Sequence, residues 1–383
     1  MAHHNTVFSQ ILKLVPRHEF ESLARTHHQG RKLRKMTRWS QFVSLGLAQL
    51  AGRASLRDVV SNLKAQAGKL YHLGCGSVNR SSLARINEQQ PHSLYEALFG
   101  KLLARCQALG PRHRFRFKNT LYSLDASTID LCLSVFPWAK FRTTKGAVKL
   151  HVGLDHDGYL PAFVQITEGR VHEVNLARKL DLPGGSIVVF DRGYTDYAWY
   201  NHLNSEGIYF VTRQKTNACY TVIKRHAVSR TSGITSDQTI RLSGAKADQC
   251  PIRLRRIGYR DPDTGKHYVF LTNAFQLSAS TIAAIYRERW QIELFFKWIK
   301  QNLKIKSFLG TSRNAVMTQI WVAMCMYLLL AYIRFMSKLG LGMQQILRLL
   351  QLNLFDRRDL NALLRGDPPE PQISPLQTRL QFA

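Results

Sequence analysis

The spacing of apolar and polar positions changes character along the 383 residues. Up to about residue 110, apolar positions recur at helical intervals in "QFVSLGLAQL", "LRDVVSNLKA", "RSSLARINEQ" and "SLYEALFGKLLARCQAL", separated by glycine-containing breaks. "GPRHRFRFKNT" (Gly110–Thr120) is a basic junction, and beyond it the pattern becomes that of strands. "LYSLDAS" reads as a short apolar strand ending at Asp125. "AVKLHVGLDHDGYLPAFVQITEG" reads as a hairpin turning at "DHDG". A short helix in "EVNLARKLDLP" precedes a buried strand, "GSIVVFD", which ends at Asp191. A turn and helix in "RGYTDYAWYNHLNSEG" and a strand in "IYFVTR" follow. From about Lys215 to Phe275 the chain is strand-like, with a hairpin closed around "DPDTG". A helix from Tyr286 to Lys304 and a hydrophobic helix from Val316 to Arg334 come next, and the tail "RGDPPEPQISPLQTRLQFA" is rich in proline and predicted to be poorly ordered.

This order predicts an α/β protein: a mixed sheet with flanking helices, interrupted by a β-rich insertion and preceded by an all-helical N-terminal domain. The expected domains are residues 1–112, a core in two parts at 113–214 and 277–340, the insertion at 215–276, and a C-terminal tail at 341–383. The apolar stretch Ala315–Ile333 is interrupted by Thr318 and Gln319, so its unbroken run is shorter than the ~20 residues of a membrane span. It is expected to be a buried core helix. The N-terminus lacks the basic start and apolar run of a signal peptide, and a cytoplasmic protein is expected.

Charge narrows the function. Fifty-four Lys and Arg against twenty-five Asp and Glu give a formal net charge of +29, which implies a polyanionic partner, nucleic acid foremost. The segment from Leu56 to Gln89 has the rhythm of a helix-turn-helix unit, in which Arg80, Ser82 and Arg85 at the start of the second helix would read DNA. The same helix–glycine turn–helix pattern occurs in plain bundles. The basic run Arg31–Arg38 reads as a solvated face or a phosphate contact. The six cysteines carry no C-x-x-C and no zinc spacing, and are expected to be reduced core residues.

Three acids stand out by placement. Asp125 and Asp191 each close an apolar strand, where open sheets expose functional side chains. Glu293 is the single acid within a basic stripe: at about 100° per residue, Tyr286, Arg289, Glu293, Lys297, Lys300 and Lys304 share one helical face. Ile292, Leu294, Phe295, Ile299 and Leu303 fill much of the other side. Gathered carboxylates repel one another, and hard oxygen ligands suit Mg²⁺ or Mn²⁺. Two such ions can act on the attacking and leaving oxygens of a phosphodiester. Asp130, Asp155, Asp157 and Asp196 are rival acids, and Glu293 could simply pair with Arg289 or Lys297 along its helix. Arg213 and Lys215, after the strand "IYFVTR", are candidate DNA-backbone contacts or plain surface charges.

Tyr286, Arg289, Glu293 and Lys300 match Y-x-x-R-x-x-x-E-x-x-x-x-x-x-K, and so resemble the Y-R-E-K signature of the bacterial insertion-sequence transposases of the DDE class. "LDAST" around Asp125 and "FDRGYTDY" around Asp191 resemble that family's first and second acid motifs, in order. The resemblance covers roughly residues 118–335. It implies an RNase H-like core with a β-rich insertion before the glutamate helix, and Asp125, Asp191 and Glu293 as catalytic acids holding Mg²⁺ or Mn²⁺, two ions in all. It implies that Tyr286, Arg289 and Lys300 contact element-end DNA, with Lys297 on the same stripe. Trp290 stands where some relatives carry an aromatic that stacks on a flipped base; it could equally be a core residue. The family further implies cut-and-paste movement of an insertion sequence by hydrolysis and strand transfer, excision through a DNA hairpin, and a homodimer working on double-stranded DNA in the bacterial nucleoid. A stand-alone metal-dependent nuclease of the same fold and an inactive DNA-binding relative remain as alternatives.

Other chemistries lack their residues. There is no phosphate-binding G-x-x-x-x-G-K-[ST] loop, no H-E-x-x-H and no G-x-S-x-G. "RVHEVN" has a His-Glu pair without a second histidine at helical spacing.

Overall fold

The computed structural model describes residues 5–143, 145–228 and 233–369. The proline-rich tail predicted to be poorly ordered lies, from Glu370 onward, outside the described residues. The chain divides into two compact units, a first made of Met1–Leu109 with Lys300–Ala383 and a second, Gly110–Ile299, counting the described residues of each.

The first unit opens with six helices: α1 (Val7–Lys13), α2 (Arg17–Thr26), α3 (Arg38–Leu50), α4 (Leu56–Ala65), α5 (Arg80–Gln89) and α6 (Ser93–Gln107). The last four fall where apolar periodicity placed them. Side chains of Thr6, Thr37, Ser55 and Asn79 cap α1, α3, α4 and α5, satisfying backbone donors that the first turn leaves free. Between α4 and α5 lie two short 3₁₀ turns, Ala67–Lys69 and Tyr71–Leu73. That connection departs from the 3–4-residue turn typical of a helix-turn-helix motif.

The other unit contains the sheet. Its elements are β1 (Leu121–Leu131), β2 (Lys140–Arg142), β3 (Lys145–Asp155), β4 (Leu160–Glu168), α7 (Glu173–Ala177), β5 (Ile187–Phe190), α8 (Tyr197–Ser205), β6 (Tyr209–Arg213), β7 (Tyr220–Arg225), β8 (Ile234–Leu242), β9 (Arg253–Arg260), β10 (His267–Thr272), α9 (Ala279–Glu288) and α10 (Trp290–Asn302). Strands β1, β3 and β4 form an antiparallel meander, and β5 and β6 join β1 in parallel, giving the order β4-β3-β1-β5-β6. Three antiparallel strands followed by two parallel to the first is the RNase H-like arrangement that the sequence implied. The β-rich stretch does not form a separate layer: β10 pairs antiparallel with β6, and β9, β8 and β7 extend the same sheet.

Side-chain alternation gives this sheet two buried faces. Val188, Phe190, Leu124 and Phe210 pack with Trp199, Tyr200 and Leu203 of α8. Ile187, Val189, Leu121 and Phe270 pack with Ile282 and Ile285 of α9. Gly153 shows how close the packing is. A Cβ there would stand 2.5 Å from Phe163 Cδ2 and 3.1 Å from Leu124 Cδ2, next to a register shift in the β3–β4 ladder. Gly153→Ala is expected to cost about 1–3 kcal/mol by overpacking, read as a lower urea midpoint with an unchanged m-value.

After α10 the chain returns to the first unit with α11 (Arg313–Ser337), α12 (Met343–Asn353) and α13 (Leu360–Arg365). Helix α11 is long and apolar enough to cross a membrane, but 94% of its apolar window is buried, and it packs on α3, α5, α6 and α12. It is the core helix that the sequence predicted.

Four expectations change. Strand β1 continues six residues past Asp125 because β3 pairs along its whole length. The helix predicted from Tyr286 to Lys304 is two helices meeting at Arg289 and ending at Asn302. Around that junction Arg289 N bonds to Tyr286 O and Ile292 N to Arg289 O, tighter i→i−3 bonds in place of i→i−4. Leu294, assigned by the wheel to the buried side, is 42% exposed. Of the cysteines, all free, Cys132 and Cys219 are exposed rather than in the core.

Candidate active site

The β1–β5 ladder sets the first two acids side by side. Its last pair is Leu124↔Phe190, and Asp125 and Asp191 are the next residues on the two strands. Adjacent strands lie ~4.8 Å apart, so this register alone makes the aspartates neighbours. Phe190 is fully buried with ring centroids 4.7 Å from Trp199 and 6.1 Å from Phe210, which fixes the strand end that carries Asp191. Asp191 Oδ1 accepts from Gly193 N at 2.8 Å and caps a short 3₁₀ turn. Alternation along β1 sends Asp125 to the face opposite Leu124, the face on which α9 packs.

Arg289 joins the third acid to the first. Its Nη2 donates to Glu293 Oε1 at 2.6 Å, and its Nη1 lies 3.8 Å from Asp125 Oδ2. The Arg289 side chain is only 12% exposed, and its Nε has no partner among the described residues. Burial opposes its charge, yet Glu293, Tyr286 and Asp125 hold its pKa above the ordinary arginine value. Burial, above all, pushes the Asp125 carboxyl up to about 6; Ala126 N–H and Arg289 pull it down, and Glu173 and Glu293 add to the rise.

Sequence reasoning missed two neighbours. Glu173, at the start of α7, lies 3.5 Å from Lys149 Nζ. A Cβ on Gly193 would sit 3.5 Å from Asp191 Oδ1 and 3.9 Å from Glu173 Oε2, so these carboxylates face the same small space. Tyr194 is buried there; burial lifts its hydroxyl pKa far above the usual value, and Asp125, Glu173 and Asp191 lift it further. The only signal for Glu173 was its His-Glu pair, which was read for zinc spacing.

The rival acids have other partners. Asp155 accepts from Asp157 N, Asp157 from His113 N, and Asp196 caps α8 and pairs with Arg178; Asp130 is exposed on β1. Buried Glu288 pairs with Arg114 and accepts from Tyr159.

Four residues predicted to touch DNA meet in one aromatic cavity of about 350 Å³. Tyr286, Arg289, Trp290 and Arg213 line it together with Tyr259, Tyr268 and Phe270. Arg213 stacks 5.0 Å from the Tyr268 ring and Arg289 5.7 Å from Tyr286. Trp290 is 55% exposed, a wall of the cavity rather than a core residue. Lys215 lines a shallow recess with Asp191 and Arg192. Lys297 is exposed one turn beyond Glu293, and Lys300 lies on the last turn of α10. Arg80 and Arg85 are exposed on α5 of the other unit.

Among the described residues, no three His, Cys, Asp or Glu side chains are grouped tightly enough to hold a metal ion. The donor chemistry nonetheless fits a hard divalent cation. Carboxylate oxygens of Asp125 and Glu293 converge on one guanidinium, so this position already carries a positive charge.

The model of the transposase DDE domain family matches residues 116–329, and residues 3–76 match a domain of unknown function. A Sinorhizobium fredii protein named as a transposase is 33% identical over 299 residues, covering 77% of this chain and 83% of its own length. A Geobacillus stearothermophilus protein named as an insertion-sequence transposase is 30% identical over 271 residues, 70% of each chain. The piggyBac transposase synaptic complex with hairpin DNA matches at a TM-score of 0.45 and 10% identity over 98% of this chain and 83% of that one, too distant to bear on function. With its catalytic-domain match and its relatives, the chain is a transposase, an enzyme of DNA cleavage and strand transfer, and belongs to the DDE class of bacterial insertion-sequence transposases.

Proposed function

We propose that Asp125, Asp191 and Glu293 are the catalytic acids of a cut-and-paste transposase. The observation that carries this reading is the register Leu124↔Phe190, which makes Asp125 and Asp191 neighbours, together with Arg289, which ties Asp125 to Glu293. The three acids would hold Mg²⁺ or Mn²⁺, which supply Lewis-acid stabilisation to the attacking and leaving oxygens of a phosphodiester. Burial raises the Asp125 carboxyl to about 6, so its ionised form gains from a nearby positive charge. Water attacks at the element end and frees a 3′-hydroxyl; that hydroxyl then attacks a second phosphodiester in the target DNA. Arg289, Arg213, Lys297 and Lys300 offer positive charge to the DNA backbone. Tyr286 and Trp290 line the aromatic cavity, and the exposed Trp290 ring offers a surface on which an unstacked base can lie. Two protomers would act on the two ends of the element, on the bacterial nucleoid.

Strand transfer separates this reading from a stand-alone nuclease. Wild-type protein, a labelled duplex ending in the element's free 3′-hydroxyl and a circular target should give joined products with Mg²⁺ and none with EDTA. Nicking of the target without joining would favour the nuclease, and metal-independent binding without cutting would favour an inactive relative.

A further inference from the structure

The basic run that the sequence left unassigned is a fixed strap in the first unit, linking α2 to α3. Both of its ends are tied to the C-terminal end of α5. Gln90 Nε2 donates to Gln29 O at 2.6 Å, and Gln90 Oε1 accepts from Gln29 N and from Arg38 Nη1, each at 3.4 Å. Arg38 Nη2 donates to Pro91 O at 2.6 Å. Gln90 and Arg38 are buried, so the ties belong to the fold rather than to its surface. Between them Arg31, Lys32, Arg34 and Lys35 are all exposed, and none forms a salt bridge within the described residues.

The strap and α5 enclose a groove of about 1060 Å³. On the helix side its polar lining is Ser82, Arg85 and Gln89, spaced i, i+3, i+7 and therefore on one face. Arg80, the reader expected at the helix start, does not line it. Four cations within five residues repel one another on a backbone held in place, an arrangement that a polyanion relieves. Fixing the strap beforehand also removes an ordering cost that a loose loop would meet on binding. The opposite wall carries arginine and glutamine, side chains that hydrogen-bond guanine and adenine edges in pairs of contacts.

We propose that this groove seats one strand of duplex DNA, with the strap cations on phosphates and Arg85 and Gln89 on base edges, so that the first unit reads the element ends. The proposal rests on the chain's being a DNA-cleaving transposase, as above. It gives a DNA-reading role to a region whose matched family has no known function.

The test is anisotropy binding of the full chain, in EDTA, to an element-end duplex and to a scrambled duplex across a salt series. Replacing Arg31, Lys32, Arg34 and Lys35 together by Ala should weaken both duplexes alike, by on the order of 10²-fold, and flatten the salt dependence by up to about 3.6 log–log units. Returning Lys at the four positions should restore the slope, because a phosphate contact needs only the charge. Gln89→Ala should weaken the element-end duplex about 10-fold and leave the scrambled duplex unchanged. A wild-type slope in the fourfold variant, with its melting temperature intact, overturns the groove. Equal losses on duplex RNA of the same sequence, bound as tightly as DNA, overturn the choice of DNA. Strand transfer by the wild-type chain is scored apart: its failure with the binding results intact counts against the active site alone.

Discussion

Glu293→Gln is expected to reduce cleavage at the element ends by on the order of 10³-fold or more. Glutamine keeps the length and shape of the side chain, and its Oε1 can still accept from Arg289 Nη2, so α10 should fold unchanged. What disappears is the negative charge, and a hard divalent cation binds a neutral amide oxygen far less well than a carboxylate. The measurement is cleavage of a labelled duplex carrying the element end, in Mg²⁺ and in Mn²⁺. Equal cutting by wild type and variant would reduce Glu293 to half of an i,i+4 pair with Arg289, worth ~0.2–0.5 kcal/mol. The nearest competitor for its role is Glu173, which shares a small space with Asp191. Cutting that survives Glu293→Gln but not Glu173→Gln would move the third carboxylate from α10 to α7.

The fold was legible where a period ran long enough to leave one reading. The strand "IVVF" is a short, wholly apolar run and "YFVTR" is apolar up to Thr212, and they became the two parallel strands that follow β1 in the sheet. Their pairing partners could not be read, because a run buried on both faces carries no alternation to set its register. Hence both aspartates could be chosen from the sequence, while their adjacency needed the pair Leu124↔Phe190. The β-rich stretch shows the same limit: its hairpins were visible, but not their attachment to the edge at β6.

The glutamate helix was read as one regular wheel, and the wheel fails at Arg289. A side chain that reaches Asp125 on one side and Glu293 on the other sits where the helical hydrogen bonds shorten their span. No periodicity encodes that, because it depends on β1 lying opposite. Glu173 and the strap were hidden for a related reason. Each gains its meaning from a residue distant in sequence, Asp191 for the one and Gln90 for the other.

Asp125→Asn should abolish cleavage and yet stabilise the protein when no divalent cation is present. The Asp125 side chain is 22% exposed, and burial raises its carboxyl to about 6, above the ordinary 3.8. A carboxyl whose folded pKa is raised costs nothing below its unfolded pKa, where both states are protonated. Its cost grows as pH rises through that value and is complete above the folded pKa. At pH 8 the ionised group therefore costs up to about 3 kcal/mol, most of it recovered by pH 4. Asparagine is neutral throughout, and its Oδ1 can still accept from Ala126 N. In EDTA the variant should be the more stable protein at pH 8 by urea denaturation, with most of the difference gone by pH 4. Arg289 loses a partner at 3.8 Å in the variant, which trims the gain without reversing it, because Glu293 still holds the guanidinium at 2.6 Å. Saturating Mg²⁺ should invert the order at pH 8, since only the wild type gains the full binding energy of the cation. A variant less stable than wild type at pH 8 in EDTA would make Asp125 a structural partner of Arg289. One that is more stable, yet indifferent to Mg²⁺, would leave the carboxylate buried at a cost with no cation to account for it.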